Sequence, residues 1–276
     1  MTSREPLSER DYMSAMLERQ RPLLGDEGME RLDRAVVAHA GLGGGGALTL
    51  EILARAGIRR FRLLDRDRYE PSNLNRQAFA TSETVGKPKV EVAAARLRQI
   101  NPYVQIEASF FEAASRRNVE ALLKDADLGM VCTDSPSSHV FFSQVARQAR
   151  TRLIFGAAPG FGCAVWVEAH DLPGGADGRF GRLKSSLRRL RGEWDLYALS
   201  EEETLALDRR EDGAGGFTPT ISYAPNCSAC LASALAIHFL SGIDMRPHSI
   251  RMDFRRFSQV NPMSHLVSSL KGLLLS

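Results

Sequence analysis

Residues 34–57 read RAVVAHAGLGGGGALTLEILARAG, and the order of residue types within them sets the fold. RAVVAHA (34–40) is a short apolar run that suits a buried strand. GLGGGGA follows, and 47–56 then shows helical spacing, with Gly57 placed as a C-terminal cap. Gly41, Gly43 and Gly46 form G-x-G-x-x-G between a strand and a helix, the context of a dinucleotide fingerprint. Glycine permits the tight turn and lets backbone amides approach a phosphate, while the helix N-terminus supplies partial positive charge. FRLLD (61–65) is the next strand, and Asp65 at its end stands where a carboxylate binds ribose hydroxyls.

Working outward, the alternation continues. Helices are predicted at 87–100, 114–124 and 137–149, and strands at 104–110, 128–133 and 152–158. Strands alternating with helices predict an α/β, Rossmann-like fold, a mostly parallel sheet with helices on both faces. Upstream, 9–33 reads as helix in two pieces, because Pro22 and Gly25 interrupt it. After Pro159 the rhythm changes to a C-terminal elaboration with additional strands. It has a strand at 161–170, a Gly/Pro-rich loop at 171–178, an apolar helix at 226–241, a strand at 249–254 and a closing helix at 264–274. One domain is expected over 1–276: an N-terminal helical segment (1–33), a nucleotide-binding core (34–158), a crossover (159–225) and a C-terminal helix–strand–helix (226–276).

The chain has 276 residues, 43 % of them apolar, enough for a core. A net charge of +3 does not by itself call for nucleic acid. Four cysteines are too few for a disulfide scaffold, and the N-terminus lacks the apolar region of a secretory signal. A reduced, cytoplasmic protein is therefore expected. No stretch approaches eighteen uninterrupted apolar residues, so no membrane span is expected.

EPSNLNRQAF (70–79) crowds Ser72, Asn73, Asn75, Arg76 and Gln77 into one loop. With Asp67, Lys87 and Lys89 nearby, these residues suit more negative charge than a dinucleotide pyrophosphate carries. A triphosphate fits better than the nicotinamide cofactor of a dehydrogenase. Arg76 offers a planar fork to phosphate oxygens, and Lys89, in the first turn of a helix, can reach the same oxygens. Asp134, in VCTDS (131–135), lies just past a predicted strand at the sheet edge where ligands bind. A carboxylate facing a triphosphate implies a metal between them, with magnesium expected. The competing reading makes Asp134 or Ser135 only the N-cap of the following helix.

These motifs, G-x-G-G-x-G, D-x-D, S-N-L-N-R-Q, G-x-P-K and C-T-D in order over residues 19–158, resemble the MoeB/ThiF/HesA family, relatives of the ubiquitin-activating enzymes. The resemblance implies a homodimeric nucleotidyltransferase that uses ATP and magnesium to adenylate a carboxylate, typically the C-terminus of a small ubiquitin-like or sulfur-carrier protein, or of a peptide. Carried onto this chain, it implies Gly41, Gly43, Gly44 and Gly46 as the nucleotide loop, and Asp65 and Asp67 beside the ribose and phosphates. Asn73, Arg76 and Lys89 would hold phosphates and Asp134 magnesium. Arg19 would enter the ATP site of the dimer partner.

The sequence also departs from the family pattern. Many members hold structural zinc with two C-x-x-C pairs. Only Cys227 and Cys230 form such a pair here, Cys132 and Cys163 lie in predicted strands, and zinc is not expected. The crossover lacks a thioester cysteine, with Cys227 near its end, so adenylation without a durable enzyme thioester is favoured. Residues 179–191 hold six basic residues and no acidic one at helical spacing. That helix fits a solvated face, an acidic partner or tRNA, which keeps open an enzyme like the threonylcarbamoyladenosine tRNA dehydratases, while the missing zinc set and thioester cysteine keep open a non-catalytic nucleotide-binding scaffold.

Overall fold

In the computed structural model, residues 7–158, 160–170, 201–202, 205, 220–243 and 249–253 are described. The expected loop at 171–178, basic helix at 179–191 and closing helix at 264–274 lie outside them.

Seven strands form one sheet in the order β3-β2-β1-β4-β5-β6-β7. They are β1 (Val36–Ala40), β2 (Arg60–Leu64), β3 (Gln105–Phe110), β4 (Leu128–Val131), β5 (Arg152–Ala157), β6 (Gly162–Ala169) and β7 (Ser249–Asp253). The first five pair in parallel. The link from Ala157 to Gly162 is too short for a crossover, so β6 returns antiparallel to β5, and β7 pairs antiparallel with β6. The additional strands of the elaboration thus extend the same sheet.

The helices are α1 (Glu9–Met16), α2 (Arg21–Arg34), α3 (Gly44–Arg55), α4 (Lys89–Ile100), α5 (Arg116–Leu123), α6 (Pro136–Ala149) and α7 (Tyr223–Ser241). The predicted break falls inside the N-terminal helical segment: Pro22 sits in the first turn of α2, and Gly25 bends the helix at φ +66°. Side chains alternate along each strand and split the core in two. Val37, Leu63, Met130 and Ile154 pack toward α2, α3, α4 and α7. Ala38, Ala40, Leu64, Val131 and Phe155 pack toward α5 and α6. At 19 residues α7 is long and apolar enough to cross a membrane. Here it is a core helix, its Ala232, Leu235, Ala236 and Leu240 buried in the first cluster.

Strand order reverses between β1 and β4. Ligands of open α/β sheets bind at such a switch point, beyond the carboxyl ends of the strands. The loops there continue the ladder for one more bond: Gly41 N donates to Leu64 O, Cys132 N to Ala40 O and Asp65 N to Phe110 O. Three predicted site loops therefore leave the sheet side by side.

Candidate functional site

The glycine turn is forced by space. Gly41 has φ +83°, and a Cβ there would stand 2.5 Å from Cys132 O. A Cβ on Gly46 would stand 1.8 Å from Gly41 O, so the turn closes only with glycine at both positions. The turn opens α3 at Gly44, with Gly43 as its cap.

A cavity of ≈ 440 Å³ lies over this turn. Gly41, Gly43, Gly44, Asp65, Asp67, Arg76, Lys89 and Asp134, all anticipated from sequence, line it. So do Gln77, Thr133, Ser135, His139, Pro225 and Ser228, which the sequence reading left out of the site. Three helix N-termini meet at this wall: the start of α3, Ser135 and Ser137 at the start of α6, and Pro225 and Ser228 in the first two turns of α7. The partial positive charge at these helix starts makes the cavity suited to an anion.

Asp65 is buried, and its carboxylate accepts from Leu42 N at 2.6 Å and from Asp67 N at 2.8 Å. Burial pushes its carboxyl above the usual range, against the pull of Lys89 and the two amides. Lys89 is also buried, and its Nζ donates to Asp67 Oδ2 at 2.8 Å. Arg76 spends Nη1 on Ser72 O at 2.8 Å and Asn75 Oδ1 at 2.9 Å. Those bonds orient the guanidinium and leave its other N–H groups for a ligand.

Three anticipated residues stand back from the cavity lining. Asn73 is buried, and its amide works within the loop, accepting from Glu70 N at 3.1 Å and donating to Ser72 Oγ at 3.3 Å. It shapes the turn that presents Arg76. Gly46 sits under the turn. Arg19 is exposed between α1 and α2. Its neighbour Gln20 donates to Ala56 O at 2.6 Å, beside the C-terminal end of α3. Twelve helical residues span ~18 Å, so Arg19 is too far from the glycine turn to reach the cavity of its own chain.

Asp134 is exposed and makes no hydrogen bond or ion pair among the described residues. The helix is capped by Ser135, whose Oγ accepts from Ser138 N at 3.2 Å. The capping role therefore falls to the serine, and the aspartate is left facing the cavity. Among the described residues no group of three or more His, Cys, Asp or Glu side chains is placed to hold a metal. Magnesium fits Asp134 all the same, because that ion is commonly held by one or two carboxylates plus substrate phosphates. Cys132 lines the cavity, but burial pushes its thiol up to about 12, so it stays protonated at neutral pH. Cys227 is half-buried and Cys230 exposed on α7.

The sequence matches the ThiF family over residues 17–271. It is 38 % identical over 149 residues to the sulfur carrier protein adenylyltransferase of Thermus thermophilus, covering 54 % of this chain and 55 % of that protein. It is 44 % identical over 85 residues to the tRNA threonylcarbamoyladenosine dehydratase of Bacillus subtilis, covering 31 % and 34 %. The chain thus spans about half or less of the length of these curated relatives. Among solved structures, E. coli MccB superposes with TM-scores of 0.62 in its ATP complex and 0.63 in its MccA complex. The identities are 18 % and 19 %, and each match covers 86 % of this chain and 71 % of MccB. At that identity the likeness is one of fold.

Proposed function

The chain belongs to the ThiF family, and on that premise we propose that it is an ATP-dependent adenylyltransferase acting on the C-terminal carboxylate of a small carrier protein or peptide. One observation carries this reading: Arg76, Lys89 and Asp134, from three separate segments, line a single cavity with the glycine turn.

The chemistry needs no protein nucleophile, and the protonated Cys132 suits that. The substrate carboxylate attacks the α-phosphorus of ATP, and pyrophosphate leaves with the bonding electrons. Gly43 and Gly44 give the phosphates close access to backbone amides. The free N–H groups of Arg76 and the Lys89 ammonium neutralise charge on the phosphoryl oxygens, in a cavity whose helix termini add to the same field. Asp65 accepts from ribose hydroxyls with the lone pairs that Leu42 N and Asp67 N leave over. Asp134 would hold magnesium, which when bound offsets charge on the triphosphate.

The test is ATP–pyrophosphate exchange with magnesium and a set of carrier proteins and peptides, including ones ending in Gly-Gly. Exchange that requires the carboxyl partner supports the reading. Tighter binding of NAD than of ATP, with no exchange, overturns it. A second reading places the carboxyl on tRNA, and the similarity to the B. subtilis dehydratase favours it. Salt-dependent tRNA binding together with tRNA-dependent exchange would select it over the protein substrate.

A further inference from the structure

Gln77 is 7 % exposed and lines the cavity, yet its Oε1 has no hydrogen-bond partner among the described residues. Buried side-chain amides are rarely left this way, and such a group at a cavity wall calls for an explanation. The other end of the amide faces the glycine turn: Nε2 lies 3.7 Å from the point where a Cβ on Gly43 would stand. The backbone holds it there, since Gln77 N donates to Asn73 O at 2.9 Å, one residue after Arg76. Assignment of O and N within an amide rests on its hydrogen bonds. In either orientation one end faces the turn and the other is buried without a partner. Packing alone does not account for the residue, because an apolar side chain of the same length fills the space without stranding a polar atom.

We propose that Gln77 is a nucleotide-binding residue that donates from Nε2 to a phosphate oxygen seated on the Gly43–Gly44 turn, in the cavity that Arg76 and Lys89 also line. This rests on the reading of the cavity as an ATP site. A neutral donor at this point fixes the position of an oxygen without adding charge, which complements the two cations.

The experiment measures binding of ATP and of adenosine by calorimetry to the wild-type chain, Gln77→Met and Gln77→Glu, with melting temperatures in parallel. Gln77→Met keeps the shape and removes the donor. Its melting temperature is expected to match or exceed that of the wild type, its ATP affinity to fall about tenfold, and its adenosine affinity to stay the same. Gln77→Glu places a negative charge against the phosphates and is expected to lose more ATP affinity than Gln77→Met. Gln77→Met binding ATP within twofold of the wild type overturns the assignment, and so does an equal loss for adenosine. Should Gln77→Met not fold, Gln77→Glu with undiminished ATP affinity overturns it in the same way. A wild-type chain that binds no ATP refutes the adenylation reading itself, an outcome distinct from these.

Discussion

Lys89 Nζ lies 2.8 Å from Asp67 Oδ2, with the lysine side chain 7 % exposed and the aspartate 53 %. A buried ammonium is thus held at the cavity wall by a partner that stands half in water. Removing that partner takes the hydrogen-bonded counter-charge from a buried ammonium and leaves it only the Asp65 carboxylate nearby, which costs more than losing an exposed pair. Asp67→Ala is expected to lower stability by about 1–2 kcal/mol. The triphosphate can replace the lost partner, so ATP should raise the melting temperature of Asp67→Ala more than that of the wild type. Equal shifts in thermal denaturation with and without ATP would show that Lys89 does not face the nucleotide.

Asp134 and Ser135 are neighbours in sequence with separable roles. Ser135 caps α6, so Ser135→Ala is expected to cost about 1 kcal/mol of stability. Asp134 caps nothing, so Asp134→Asn should unfold like the wild type and lose pyrophosphate exchange by about a hundredfold or more. Chemical denaturation and exchange assays on both variants check the pair. A stability loss in Asp134→Asn with activity retained would return the aspartate to a structural role.

How much of this was legible before the structure follows from what each residue does locally. The strand–glycine–helix passage around Gly41 could be read because only glycine tolerates the contacts made at Gly41 and Gly46. The five parallel strands could be read because short, largely apolar runs alternate with stretches of helical spacing along 34–158. Asn73 was legible as part of the loop but not in its role, because an Asx side chain bonding its own turn and one bonding a ligand look alike in sequence. Gln77 was legible as one of the loop's polar residues but was given no role of its own, because only burial shows that its amide lacks a partner among the described residues. Whether Asp134 or Ser135 capped α6 needed backbone geometry, since both residue types cap well. Pro225 and Ser228 join the site from α7, nearly a hundred residues beyond Asp134, through a packing arrangement that no local pattern encodes.

His39 sits in β1 on the side of the sheet that faces α3 and α7, fully buried, with neither ring nitrogen partnered among the described residues. Burial pushes its pKa down to about 3 from the ordinary 6.5. The sign follows from proton counting. Above pH 6.5 the ring is neutral whether the chain is folded or not, and it adds no pH dependence. Between pH 6.5 and 3 the unfolded chain binds a proton that the folded chain refuses, so stability falls as pH falls, by up to about 1.4 kcal/mol per pH unit. His39→Leu should remove this slope and spare the two stranded nitrogens. Urea midpoints at pH 7.5, 6.0 and 5.0 test it, and parallel curves for both chains would refute it.

Arg19 lies too far from the cavity of its own chain to act there, so any catalytic role it has is exercised on a second copy. That makes a prediction from symmetry. On the homodimer reading, Arg19→Ala would leave the cavity intact but deprive the partner copy of its arginine, whereas Lys89→Ala would damage its own cavity and still supply Arg19. Each variant alone should lose pyrophosphate exchange by about a hundredfold or more. Mixed and allowed to exchange subunits, half of the dimers carry one of each, and in these one cavity of the two has both Lys89 and an intact Arg19 opposite. Activity should therefore recover to roughly a quarter of the wild-type value. Recovery that appears only after subunit exchange shows Arg19 acting across a dimer interface. An Arg19→Ala chain with full activity alone would remove the residue from the site, and a mixture that stays inactive while both variants are dimeric would rule out the crossed arrangement.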